Sequence, residues 1–424
     1  MSAHRITATY RIETAYPLME AIETMAGEQS TGTFIRLPGE TDAMRDAYGA
    51  HIERVTELEP VGTPSLPGAG VPRAGAAGGG DPLWRRAEVV LSWSLENCGP
   101  SLPNLLATVA GNLFELRPFS GLRILDITMP EAFAAAYPGP RFGIAGTRRL
   151  AGVEHGPLIG TIIKPSVGLG PQDTAEAART LCAAGIDFIK DDELQADGPH
   201  CPFDERARAV MRVVNEQADR TGRKVMYAFN ITGDLDQMRR RHDLVLSLGG
   251  TCVMASLNSV GLAGMIELGR FSQLPIHAHR NGWGYLSREP SLGWSYVAWQ
   301  KIWRLAGADH MHVNGLRNKF CEPDDSVIAS ARSCLTPMFD SKPCTVMPVF
   351  SSGQSARQAP DTYAALGSAD LIYAAGGGIM GHPDGPAAGV ASLRESWDAA
   401  LAGIPLAEHA KTRPALAKAI EAYA

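Results

Sequence analysis

The chain has 424 residues, 45% hydrophobic and 20% charged, with a formal net charge of −6. That length exceeds one ordinary hydrophobic core and points to a large domain plus a smaller one, while the composition excludes a disordered, collagen-like or disulfide-scaffold protein. The acidic balance, with no long Lys/Arg cluster, gives no general attraction for nucleic acid.

The first residues, MSAHRITATYRIET, alternate polar and apolar side chains and contain no secretory apolar stretch. No later run approaches the ~18 apolar residues that span a bilayer. A cytoplasmic protein with no membrane partner is therefore expected. The seven cysteines are scattered without a CxxC pair, which fits reduced thiols.

Residues 1–135 mix strand and helix signals in no regular order and read as a small N-terminal α+β, ferredoxin-like domain. Period-two alternation predicts strands at Ile6–Ile12, Thr33–Leu37, Ile52–Leu58, Glu88–Trp93 and Leu122–Thr128, and helical spacing falls at Leu18–Met25 and Leu102–Leu113. Val61–Asp81, rich in Gly, Pro and Ala, has no apolar face to bury and reads as an extended surface loop.

Residues 136–424 read as a second domain. From Gly156 onward short apolar strands alternate with longer amphipathic helices, as in parallel βα units. The expected strands are Leu158–Lys164, Phe188–Lys190, Val225–Asn230, Cys252–Leu257, Leu274–His279, His310–Val313, Thr345–Phe350 and Leu371–Ala375. Helices fall between them, for example at Thr174–Ala184, Phe203–Thr221 and Trp294–Leu305. Eight such units give an α/β fold with a C-terminal (β/α)8 TIM barrel. The turn after the first strand, KPSVGLGP, is not the GxGxxG of an open dinucleotide-binding sheet.

A barrel collects its reactive groups at the C-terminal ends of its strands. Here those ends carry Lys164, the run Lys190-Asp191-Asp192-Glu193, His279-Arg280, His310 and His312, Ser351-Ser352-Gly353, and Gly376-Gly377-Gly378. On a strand, Lys190 and Asp192 share a face while Asp191 takes the other, and Glu193 can turn back from the loop. Two converging carboxylates suit a hard cation such as Mg2+. A carbamate formed from Lys190 and CO2 would add a third anionic oxygen. The glycines after the last strand allow backbone N–H groups to approach a phosphate. Such a site would acidify the C–H beside a ketone, with Lys164 exchanging the proton and Arg280, His279 and His312 orienting substrate oxygens.

At these residues the sequence resembles the large chain of ribulose-bisphosphate carboxylase, and more closely its non-carboxylating relatives, the RuBisCO-like proteins of form IV. GTIIKPSVGLG resembles the family's catalytic-lysine motif and GIDFIKDDE its carbamylated-lysine and magnesium motif. The resemblance makes Lys164 the catalytic lysine, Lys190 the carbamate, and Asp192 and Glu193 the remaining metal ligands. IHAHR is similar to the segment bearing His279 and Arg280, ADHMHV to that bearing His312, and AAGGGIMGHP to the phosphate loop of Gly376, Gly377 and Gly378. Ser351 falls at the family's substrate serine. In GEQSTGTF, Glu28 and Thr33 match residues that reach the neighbouring subunit's site, and in TVAGNLFEL, Asn112 matches the metal-side asparagine. The resemblance implies at least a homodimer with sites at the subunit boundary.

Departures from the carboxylase pattern lie at Ser166, where carboxylases carry a second lysine, at Asn318 before the sixth-loop Lys319, and at Ser352. These argue against carboxylation while leaving enolisation intact. The expected function is enolate or enediolate formation on a phosphorylated keto sugar or 3-oxo sugar acid, of the decarboxylase or transcarboxylase/hydrolase type, with Arg317 and Lys319 available for a carboxylate. The alternatives are a diketo-methylthiopentyl-phosphate enolase of methionine salvage, a catalytically silent binding barrel, and a true ribulose-bisphosphate carboxylase.

Overall fold

The computed structural model describes residues 4–32, 37–72 and 82–423. They form two compact units. One comprises the residues up to Tyr137 together with Gly282–Ile302 and Met338–Lys342, and the other holds Pro138–Asn281, Trp303–Pro337 and the remainder from Pro343.

The first unit is built on a five-stranded sheet in the spatial order Leu292–Trp294, Phe119–Thr128, Arg5–Thr14, Trp84–Ser94, His51–Val61. Alternation sets its buried face: Ile6, Ala8, Tyr10 and Ile12 point the same way, as do Ala87, Val89, Leu91 and Trp93 on the neighbouring strand. The helices Leu18–Glu28 and Leu102–Val109 bury Ile22, Met25, Leu102, Leu105 and Val109. Ser101 caps the second helix by accepting from Asn104 N–H.

Four of the five expected N-terminal strands and both helices appear with small shifts of boundary. The fifth, Thr33–Leu37, falls mostly on residues outside the described ones. So does the second half of the Val61–Asp81 segment, while residues 62–72 carry neither helix nor strand. The sheet also contains a strand that periodicity did not supply. Leu292–Trp294 pairs in parallel with Leu122–Ile124, so the helix expected from Trp294 begins instead at Tyr296. Gly293 sits at φ +83°, and a Cβ there would come within 2.1 Å of Leu286 O. Only glycine fits that close approach.

The second unit is a closed barrel of eight parallel strands: Leu158–Ile162, Phe188–Lys190, Met226–Asn230, Cys252–Ser256, Ile276–His279, His310–His312, Met347–Phe350 and Ile372–Ala374. The TIM-barrel expectation holds strand for strand. Every second residue enters the interior, where Leu158, Phe188, Met226, Ala228, Cys252, Met254, Met347, Val349, Ile372 and Ala374 form a dry core. The helix Gly143–Ala151 packs Ile144, Leu150 and Ala151 against that core. A Cβ at Gly160 would stand 3.0 Å from the Phe188 ring and 3.3 Å from Ile372 Cγ2, so glycine gives these flanking side chains their room. Among the described residues, no helix is long and apolar enough to cross a membrane.

Candidate active site

The same alternation that fills the core sets the rim. Continuing each inward-facing series by one step brings Lys164, Asp192, Asn230, His279, His312, Ser351 and Gly376 to one end of the barrel. Lys164 Nζ donates to Asp192 Oδ2 at 2.7 Å and to Ser166 Oγ at 2.7 Å. Lys190 is fully buried and donates to Asp191 O at 2.8 Å, with Glu193 Oε2 at 3.6 Å. His279 Nε2 lies 3.5 Å from that same Glu193 oxygen, and its buried Nδ1 has no hydrogen-bond partner among the described residues. Lys164, Lys190, Asp192, Glu193 and His279 therefore converge.

Burial opposes the charges of Lys190, Asp192, Glu193 and His279, and for each of them the balance with its neighbours sets the direction of the shift. Lys190 is shifted below an ordinary lysine because desolvation outweighs the charges of Glu193, Asp192 and Asp191. Burial alone would raise the Asp192 carboxyl, but hydrogen bonds from Lys164 and Leu194 N–H and the charge of Lys190 bring it below its usual value. Glu193 follows the same pattern through His279 and Lys190. Burial and the neighbouring Lys190 push His279 down to about 3, so it is neutral near pH 7.

Asp191, the odd member of the acidic run, faces away and performs a different task. Its carboxylate accepts from Tyr227 Oη at 2.6 Å, Asn230 N at 2.9 Å and Arg206 at 3.2 Å. The same buried guanidinium donates to Gln195 O, Ala196 O and Cys201 O. Asn230 Nδ2 donates to Asp192 O and Glu193 O. Thus Arg206, Tyr227 and Asn230 fix the backbone on which Asp192 and Glu193 are carried. Sequence reading missed all three. Asn230 stands at a strand end and was recoverable by the rule that found Lys164, whereas Arg206 lies in the first turn of the helix Phe203–Thr221 with no local signal.

A chain of imidazoles occupies the barrel interior between core and rim. His310 Nε2 lies 2.9 Å from Thr147 Oγ1 and its Nδ1 lies 3.3 Å from His277 Nδ1. His277 Nε2 is 2.7 Å from His312 Nε2, and His312 Nδ1 is 3.1 Å from Ser351 Oγ. The His279 ring meets His312 with centroids 4.7 Å apart. Burial pushes His310 down to about 3 and holds His277 and His312 well below the usual histidine value.

Arg280 donates to Glu322 Oε2 at 2.6 Å, and Asn314 Nδ2 donates to that same oxygen at 2.7 Å. This ties the sixth loop to the end of the fifth strand. Lys319 is exposed, with its Nζ over the Phe320 ring and its N–H donating to Ser352 O. Arg317 is also exposed and pairs with Asp361 at 2.8 Å. After the eighth strand, a Cβ at Gly378 would lie 2.5 Å from Gln354 O, whereas one at Gly377 would meet nothing within 4 Å and one at Gly376 would lie 4.0 Å from Lys164 Cε. Gly378 is thus demanded by packing, and Gly376 stands beside the lysine. In the first unit, Asn112 Nδ2 donates to Glu28 Oε1 at 3.3 Å. Thr33 lies outside the described residues.

Among the described residues, no group of three His, Cys, Asp or Glu side chains is placed to hold a metal ion. The donor set nevertheless fits a hard cation. Asp192 and Glu193 supply two carboxylates, and a carbamate on the adjacent Lys190 would supply the third anionic oxygen that such an ion favours.

The chain belongs to the ribulose bisphosphate carboxylase large-chain family: the model of that family's catalytic domain matches residues 143–423 and the model of its N-terminal domain matches residues 90–133. Within it, the chain is a RuBisCO-like enzyme. It is 59% identical over 418 residues, 99% of both chains, to the 3-oxo-isoapionate-4-phosphate transcarboxylase/hydrolase of Xanthobacter autotrophicus. It is 44% identical over 99% of its length, and 98% of the relative's, to the 3-oxo-isoapionate-4-phosphate decarboxylase of Rhizobium etli. Its fold matches the crystal structure of a rubisco-like protein from Burkholderia fungorum with a TM-score of 0.91 and 47% identity, covering 99% of each chain.

Proposed function

We propose that this enzyme forms an enediolate from a phosphorylated 3-oxo sugar acid of the kind named for its relatives, 3-oxo-isoapionate 4-phosphate, with release or transfer of the carboxyl group. In a 3-oxo acid the bond from the second carbon to the carboxyl carbon breaks, and its electron pair enters the carbonyl, leaving CO2 and an enolate. The observation that carries this reading is the convergence of Lys164 on Asp192, 2.7 Å apart, beside Lys190, Glu193 and His279.

Mg2+, held by Asp192, Glu193 and a carbamate on Lys190, would supply positive charge to the developing oxyanion. The Lys164 ammonium, steered by Asp192, returns a proton to carbon. Neutral His279 exchanges a proton with a substrate hydroxyl. The Gly376–Gly378 turn receives the phosphate on backbone N–H groups, and Arg280, His312, Ser351 and Lys319 contact the rest of the substrate. Glu28, Thr33 and Asn112 complete the site across a homodimer boundary. The enzyme works in the cytoplasm.

The test is deuterium incorporation from heavy water over a panel of phosphorylated keto sugars and 3-oxo acids with Mg2+ and bicarbonate. Label should appear at the carbon beside the carbonyl with the phosphorylated 3-oxo acid. Its absence across the whole panel would remove the reading.

Carbamate formation also has a pH signature. Only the neutral amine attacks CO2, and each pH unit below the amine's pKa cuts that fraction about tenfold. Because Lys190 lies below the ordinary 10.5, activation by preincubation with Mg2+ at fixed dissolved CO2 should rise from pH 7 and level off short of that value. Initial rates after timed preincubation read this directly. A pH-independent activation would count against the carbamate.

A further inference from the structure

One arrangement of hydrogens keeps every bond along the imidazole chain. It starts from a fixed end: Thr147 Oγ1 donates to Gly143 O, one helical turn earlier. That hydroxyl has a single hydrogen, so toward His310 it can only accept, and His310 must carry its proton on Nε2. A neutral His310 then offers a bare Nδ1, so the facing Nδ1 of His277 is the protonated one. His277 Nε2 is left bare and accepts from His312 Nε2–H. His312 Nδ1 is bare in turn and takes the hydrogen of Ser351.

The opposite polarity would sacrifice the bond from Thr147 to Gly143 O, because the hydroxyl has one hydrogen and could not serve both partners. Burial of all three rings, with the shifts it causes, keeps them neutral near pH 7 and excludes an added proton that would break the alternation. The other neighbour of Ser351 is the poorer acceptor because it lies farther away than His312 Nδ1. Asn314 commits its Nδ2 to Glu322, so its Oδ1 accepts the Ser352 hydrogen at 2.8 Å, and the Ser351–Ser352 distance is the longer one at 3.4 Å.

We infer that Thr147, His310 and His277 are positioning residues that lock His312 as its Nε2–H tautomer and turn the Ser351 hydroxyl into an acceptor toward the substrate. Ser351 then takes a hydrogen bond from a substrate hydroxyl and rejects a phosphate or carboxylate oxygen, which brings no hydrogen. This rests on the proposed reading in one respect, that Ser351 touches the substrate. The tautomers themselves follow from the hydrogen-bond geometry and from the burial of the three rings.

Wild-type protein labelled with 15N-histidine, in long-range 1H–15N correlation spectra at pH 7.5, should show His310 and His312 protonated on Nε2 and His277 on Nδ1. Any other pattern at these rings overturns the inference, whatever the enzyme acts on. Thr147→Val, at the far end of the chain from Ser351, should mix the tautomers and raise KM for 3-oxo-isoapionate 4-phosphate about tenfold with a smaller change in kcat. Thr147→Ser should restore both. A Val variant that keeps the wild-type tautomers while losing activity, or loses the tautomers with KM unchanged, would equally refute the coupling. If the Val variant does not fold, the wild-type spectrum still decides.

Discussion

Asp192→Asn should reduce deuterium incorporation by about a thousandfold or more, equivalent to roughly 4 kcal/mol of transition-state stabilisation. Two effects combine. The substitution removes one of the two carboxylates that flank Lys190, weakening the cation site, and it strips Lys164 of the anion that orients its ammonium. The fold should survive, because among the described residues the Asp192 side chain bonds only Lys164 and Leu194 N–H. Stability within about 1 kcal/mol of wild type, a small change for a single substitution, combined with lost exchange would separate chemistry from folding. A variant retaining more than a tenth of the exchange would remove Asp192 from the reaction. A silent barrel predicts something else: no exchange in the wild type and no loss on substitution.

Arg206→Met acts on the same site by another route and should cost about 3–5 kcal/mol of stability, the range for removing one partner of a buried ion pair. Arg206 and Asp191 are both completely buried at 3.2 Å. Burial would lower the guanidinium, but the charge of Asp191 holds it above the usual arginine value. Without it, Asp191 keeps Tyr227 and the Asn230 N–H but no countercharge, and three loop carbonyls lose their donor. The denaturation midpoint should fall sharply, and a second substitution, Asp191→Asn, should recover part of the loss in a double-mutant cycle. A single-variant loss under about 1 kcal/mol, the size of an ordinary surface change, would show that the pair is dispensable.

What could be read from the sequence divides along a physical line. Alternation along a strand is local, so Leu158–Ile162 through Ile372–Ala374 were legible, and so was the rim lysine–carboxylate run. The side preference within that run was also legible: Asp191 does face away from Lys190 and Asp192. The contacts between strands were not, because they depend on register. His277 lies far in sequence from His310 and His312, which share one strand, and only the pairing of His310 with His277 sets the three in a line. Leu292–Trp294 was missed because the residues that follow carry a helical period, which was extended back to Trp294. Glu322 carries no local signal, and its bond to Arg280 joins the sixth loop to the end of the fifth strand, far apart in the chain.

The parallel pairing of Leu292–Trp294 with Leu122–Ile124 also bears on biosynthesis. The N-terminal sheet cannot be finished when its own segment leaves the ribosome. Until the excursion between the fifth and sixth barrel strands has been translated, Phe119–Thr128 presents a bare edge able to template association with another chain. A fragment ending near Tyr137 would keep that edge permanently, so dissecting the protein at its apparent domain border would yield a sticky half rather than an autonomous one.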